Sequence, residues 1–145
     1  MSGGNFPTGE KYQQFIIQKS KEAVQFGLTE QEGFELAKKY GTNVDQLFTY
    51  ANHYSAESEE DLSPFVFAQL MYSIEQEMAV TPMDFFIRRT GALYFQIDWI
   101  RKWKNPILKK MEKIMNWSPA ELISLEKQLE QELNHAVIPE NTKTL

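Results

Sequence analysis

From Tyr12 to Leu133 the apolar side chains return at steps of three and four, the period of a helix face, and no run alternates like a half-buried strand. The runs are punctuated by residues that start or stop helices. Thr8 can cap a helix over about 10–26 with Tyr12, Phe15, Ile16, Ala23 and Phe26 inside and Gly27 as its terminating glycine. Thr29-Glu30-Gln31-Glu32 is a capping box: the threonine hydroxyl accepts from the backbone three residues on, and the glutamate reaches back. The helix it opens buries Phe34, Leu36, Ala37 and Tyr40 and stops at Gly41. Asn43 then caps a helix with Val44, Leu47, Phe48 and Ala51 inside. Proline suits the first helical position, so Ser63-Pro64, Thr81-Pro82 and Ser118-Pro119 mark further starts. Asn105-Pro106 reads as a break between two helical pieces, because proline cannot donate to an unbroken ladder. The last helix carries Leu122, Leu125, Leu129 and Leu133 on one face. The expected architecture is all-α, a compact single-domain bundle of about six to eight helices. Its parts are a turn-rich lead-in at 1–9, the helical domain at 10–136, and a fraying tail at 137–145.

Much chemistry is excluded by residue usage. Without cysteine the chain forms no disulfide, thiol nucleophile or cysteine-containing zinc site. His53 and His135 are too far apart in sequence to make a local metal pair, and His53, near a helix end, reads as a surface or capping histidine. The seven glycines are scattered, so neither G-x-G-x-x-G nor a P-loop is present. No apolar run reaches the length of a membrane span. The acidic stretch 55–62 reads as a solvated loop, and nothing local raises a carboxyl pKa there for acid–base work.

Charge is segregated along the chain. Residues 1–80 carry a net of −7, residues 81–117 a net of +5, and residues 118–145 a net of −3. Such segments can attract one another on folding, and the basic one is the surface to watch.

Two stretches carry candidate chemistry. In Asp84-Phe85-Phe86-Ile87-Arg88-Arg89-Thr90, Asp84 and Arg88 have the spacing and order of a favourable helix pair. The aromatic neighbours leave little polar face, so a covered guanidinium there needs a partner that suits its planar fork. That partner is either a phosphate or neighbouring domain, or a carboxylate of this chain, Glu75 or Glu77 on the preceding helix. The second stretch is the basic amphipathic run from Trp99 to Trp117. Its members Trp99, Arg101, Lys102, Trp103 and Lys104 could face an anionic membrane surface. The plainer reading makes the tryptophan side core and the lysines a solvated face. Nucleic acid is not expected as a partner, given the negative net charge and the absence of the usual motifs.

From Phe65 to Ile100 the residues resemble a known family. Phe65-Val66-Phe67-Ala68-Gln69-Leu70, Ile74-Glu75-Gln76-Glu77-Met78-Ala79 and Thr81-Pro82-Met83-Asp84-Phe85-Phe86-Ile87-Arg88-Arg89-Thr90-Gly91-Ala92-Leu93 are similar to the C-terminal domain of FAD-dependent glycerol-3-phosphate oxidoreductases. That family comprises aerobic glycerol-3-phosphate dehydrogenases and alpha-glycerophosphate oxidases. Ser2-Gly3-Gly4, Ala37-Lys38-Lys39-Tyr40-Gly41-Thr42-Asn43-Val44-Asp45 and Ile97-Asp98-Trp99-Ile100 add support. The resemblance implies a helical accessory domain attached to an N-terminal FAD-binding domain, its expected partner. That partner oxidises sn-glycerol 3-phosphate to dihydroxyacetone phosphate. It also implies that the flavin and substrate sites lie outside this chain, which alone is expected to be inactive and to hold no cofactor. No catalytic, cofactor-binding or metal residue is carried over. Arg88, Arg89 and Thr90 match the family motif without an assigned task. Two alternatives stand beside this reading: a membrane-docking module through 99–117, and a free-standing helical regulator. The expected location is cytoplasmic, or peripheral at the inner face of the membrane.

Overall fold

The structure, a computed structural model, describes the backbone of residues 9–54, 62–90 and 97–143 and the side chains of 9–54, 62–87 and 97–134. In chain order its helices are α1 (Gly9–Ala23), α2 (Glu30–Tyr40), α3 (Val44–Asn52), α4 (Pro64–Gln76), α5 (Pro82–Thr90), α6 (Ile97–Met115) and α7 (Pro119–Lys143). Short 3-10 turns occupy Val24–Phe26 and Gly41–Asn43. No strand occurs among the described residues, so the all-α expectation holds. The helices gather into two compact units, Met1–Tyr72 and Ser73–Leu145.

In the first unit, α1 tightens into its 3-10 turn and stops at Gly27, whose φ of 84° is costly for any residue with a Cβ. The capping box then forms as read. Glu32 N–H donates to Thr29 Oγ1 at 3.0 Å, and Thr29 N–H donates to Glu32 Oε1 at 2.9 Å. α2 approaches α1 at Gly33. A Cβ at that position would stand 2.4 Å from the Ala23 Cβ and 2.9 Å from the Ser20 Cα. Lys19 on α1 reaches Asp45 on α3 at 2.9 Å and Glu22 at 3.2 Å. Burial works against the Lys19 ammonium, but these two carboxylates outweigh it and hold its pKa above the ordinary lysine value.

Asn43 departs from expectation. The 3-10 turn runs into α3 without a break, so Asn43 has φ −81° and ψ −1° in place of the extended backbone that a capping residue needs. Its amide donates instead to Tyr72 Oη at 3.4 Å, beside an edge-on Tyr40–Tyr72 ring pair at 4.9 Å. Val44, Leu47, Phe48 and Ala51 are all buried, and Phe48 stacks on Phe26 at 5.2 Å. Tyr54 donates its hydroxyl to the Leu62 carbonyl and packs its ring edge-on to Phe67. The acidic loop expected over 55–62 lies, apart from Leu62, outside the described residues, as does Thr8. Ser63 Oγ accepts from Val66 N–H at 3.2 Å to open α4, where Phe65 through Leu70 are buried on every side.

In the second unit α6 corrects the sequence reading at Asn105-Pro106: Pro106 sits inside a continuous helix. A proline there removes one ladder bond and costs about 3 kcal/mol. Ile100 before it and Ile107, Leu108 and Met111 after it are all buried. At roughly 1.5–3 kcal/mol per buried side chain, their shared face outweighs the lost rung and keeps both halves in line. α6 stops where Asn116 takes φ 56° and Trp117 N–H donates to the Glu112 carbonyl at 3.2 Å. Ser118 and Glu121 exchange bonds of 3.2 Å as a second capping box and open α7. Leu129 and Leu133 are buried and Leu122 and Leu125 half-buried. The helical backbone continues to Lys143, past the boundary at 136 read from the sequence.

Candidate functional site

The approach to α5 is fixed by its own cap. Asp84 N–H donates to Thr81 Oγ1 at 3.1 Å, and the Asp84 carboxylate accepts from Val80 N–H at 3.3 Å. Asp84 thus serves the positive end of the helix, as its position in the first turn suggests. Phe85 and Phe86 are fully buried, and Phe86 lies edge-on to Trp99 at 6.1 Å. Of the carboxylates expected near the arginines, Glu75 is exposed near the end of α4, and Glu77 accepts from Ser73 Oγ at 3.2 Å. The backbone of Arg88, Arg89 and Thr90 continues α5, but their side chains lie outside the described residues. Among the described residues Asp84 caps the start of α5 and Glu77 bonds the Ser73 hydroxyl.

Two basic residues of α6, Arg101 and Lys104, meet α7. Lys104 Nζ lies 2.7 Å from Glu130 and 3.1 Å from Glu126, and Arg101 lies 3.2 Å from Glu130. Burial opposes the Lys104 charge, yet hydrogen bonds to Glu130 and Glu126 outweigh it and raise its pKa. Glu130 is lowered chiefly by its hydrogen bond to Lys104, against the opposing effect of burial and with help from Arg101. Trp99 and Trp103 are half-buried and tilted together at 6.4 Å, and Lys102 lies over the Trp103 ring at 5.2 Å. Two of the cations read as candidate membrane contacts are thus engaged by carboxylates of the same unit. Arg101 and Lys104 are neither a purely solvated face nor free of protein partners.

The remaining chemistry is limited. Among the described residues no group of three or more His, Asp or Glu side chains could hold a metal ion. No described helix is long and apolar enough to cross a membrane. His53 is exposed at the end of α3, its N–H donating to the Tyr50 carbonyl at 3.0 Å. A dinucleotide needs free N–H groups at a helix start behind a glycine-rich turn. The N-termini of α2, α5 and α7 are instead occupied by Thr29, Thr81 and Ser118. None of these three helix starts offers that cradle.

One feature escaped the sequence reading. Met78 has φ 60° and is 74% exposed, while Val80 and Ile87 nearby are 54% and 42% exposed. The only signal was an apolar Met-Ala-Val run between two helices, which periodicity alone does not place.

Comparison with known proteins agrees with the fold. A family model described as the C-terminal domain of alpha-glycerophosphate oxidase matches residues 2–122. The aerobic glycerol-3-phosphate dehydrogenase of Bacillus subtilis (strain 168) is 34% identical over 140 residues, covering 96% of this chain and 25% of that protein. Its counterpart in Staphylococcus aureus (strain MRSA252) is 35% identical over 136 residues, covering 94% and 24%. The X-ray structure of the glycerol-3-phosphate dehydrogenase from Bacillus halodurans, complexed with FAD, aligns with a TM-score of 0.84 at 38% identity. That alignment covers 91% of this chain and 27% of that one. The chain spans about a quarter of the length of the relatives it matches. By the span of the family match and by the helices that carry it, this chain belongs to the family of C-terminal domains of alpha-glycerophosphate oxidase.

Proposed function

We infer that the chain is the helical accessory domain of an FAD-dependent enzyme that oxidises sn-glycerol 3-phosphate to dihydroxyacetone phosphate. Its partner is the flavin-binding region of the same polypeptide. The observation that carries this reading is the pairing of near-complete coverage of this chain with a 27% share of a relative solved with FAD. Hydride transfer from the substrate belongs to the flavin when it is bound, and the glycine-rich fingerprint that would cradle it does not occur in this sequence. What this chain contributes is a pair of capped helical units, with Lys19, Arg101 and Lys104 paired to carboxylates of their own unit.

Purified 145-residue chain should be colourless and should not oxidise glycerol 3-phosphate with an artificial electron acceptor. The longer polypeptide encoded by the same reading frame should be yellow and active. Stoichiometric flavin on the isolated chain would overturn the reading. So would a reading frame with no flavin-binding region, which would favour the free-standing regulator.

A further inference from the structure

Met78 combines two unfavourable features. Its backbone is left-handed, where glycine is the usual occupant, and its large apolar side chain is 74% exposed. Ala79 N–H donates to the Ser73 carbonyl at 2.9 Å and Val80 N–H to the Asp84 carboxylate at 3.3 Å, so the link between α4 and α5 is held at both ends. Asp84 and Ile87 stand three apart on α5, one face of that helix, and the Asp84 carboxylate holds the Val80 N–H just before it. Met78 and Val80 on this link and Ile87 on α5 are thus three exposed large apolar side chains within ten residues of the second unit. Strain retained where a glycine would relieve it points to a side chain needed for contact.

We propose that Met78, Val80 and Ile87 form the seat on which the flavin-binding region of the same polypeptide docks. This rests on the accessory-domain reading above. The size of the patch favours that occupant over a second copy. Three side chains are too few to anchor a free partner, since a stable interface takes roughly 800 Å² per side. A covalently attached neighbour is presented at about millimolar effective concentration, so a small apolar anchor suffices. The relatives carry about three quarters of their length outside the region matched here, and that length is the tethered neighbour.

Methionine oxidation by hydrogen peroxide, read by peptide mass spectrometry, tests the seat in the 145-residue chain and in the longer flavoprotein. Met78 should be oxidised about tenfold or more slowly in the longer protein, as its exposed sulfur becomes covered. Met111, fully buried, marks the slow limit in both. Ile87→Asp in the longer protein should return the Met78 rate to that of the isolated chain while the circular dichroism stays unchanged. Equal Met78 rates in a longer protein that binds FAD and oxidises glycerol 3-phosphate would overturn the seat and leave the accessory-domain reading intact. A longer protein without flavin overturns both. Protection of Met78 that grows with concentration of the isolated chain assigns the patch to a second copy and overturns the proposal. Persistent protection in Ile87→Asp also overturns it.

Discussion

Two residues take left-handed backbone angles without being glycine, and they differ in what that costs. Asn116, at φ 56°, ends α6 in a position where asparagine is well tolerated because its short polar side chain bonds locally. Met78, at φ 60°, has no such compensation and is largely exposed, so little packing offsets the strain. Met78→Gly should therefore stabilise the isolated chain by about 0.5–1 kcal/mol, the left-handed cost less the extra entropy glycine gives the unfolded state. Asn116→Gly should move stability by only a few tenths of a kcal/mol, since asparagine already tolerates the conformation. Urea denaturation of the two variants separates the cases. Equal gains would mean that Met78 is not strained relative to Asn116.

At the scale of helices, close approach and charge pairing set the geometry. Gly33→Ala improves helix propensity by about 1 kcal/mol. It also drives a methyl group to 2.4 Å from the Ala23 Cβ and toward the Ser20 backbone, where α1 must shift. Overpacking of this kind costs roughly 1–3 kcal/mol, so the substitution should be net destabilising despite its favourable propensity. A rise in melting temperature would show that α1 and α2 separate without loss. Helix starts and stops were legible because each depends on a few adjacent residues: Thr29 with Glu32, Thr81 with Asp84, Ser118 with Glu121. Pro106 was misread because packing decided it and Asn43 because a local turn did. Buried side chains on both sides of Pro106 hold α6 together, and Asn43 closes a 3-10 turn that leaves it already helical. The role of Gly33 was invisible for the same reason: a sequence shows the missing side chain but not what lies opposite.

The α6–α7 pairing also fixes a pH response. Glu130 is held below its ordinary pKa, so its contribution is present above the unfolded value and is lost as pH falls through the lower folded value. Lys104 is raised, so its contribution is present below the ordinary lysine range and is lost as pH rises through the folded value. Glu130→Gln should cost about 0.5–1 kcal/mol at neutral pH, a modest loss suited to a partly exposed pair. The deficit should shrink as pH falls through the lowered folded value, where the native Glu130 itself takes up a proton. Thermal melts of both proteins from pH 7 to pH 3 show this as converging curves. Parallel curves would mean that Glu130 and its cations do not stabilise the fold through charge.

For the whole molecule, the segregated charge of the sequence finds a structural reason in the second unit. The segment 81–117 carries a net of +5 and the segment 118–145 a net of −3, and Arg101 and Lys104 of the first meet Glu126 and Glu130 of the second. The basic stretch is thus at least partly an internal counterpart to α7, which a linear charge profile cannot distinguish from a surface aimed at a membrane. Family membership was legible from 65–100 because the residue order there resembles that family's, and the match over 2–122 agrees. The proposed role of the domain within a longer enzyme was legible only through that resemblance, since no motif in the sequence assigns a reaction to its own residues. If the α6–α7 attraction is intramolecular, salt should weaken folding. Raising sodium chloride from 0.01 M to 0.3 M shortens the Debye length from about 30 Å to about 6 Å, which reaches partly exposed pairs but not the buried core. Losing about 1 kcal/mol in a chain of this size lowers the melting temperature by about 3 °C. Lys104→Met removes one cation while keeping the apolar stem, so its melting temperature should depend less on salt than that of the native chain. An equal salt dependence in both would place the electrostatic stabilisation elsewhere in the molecule.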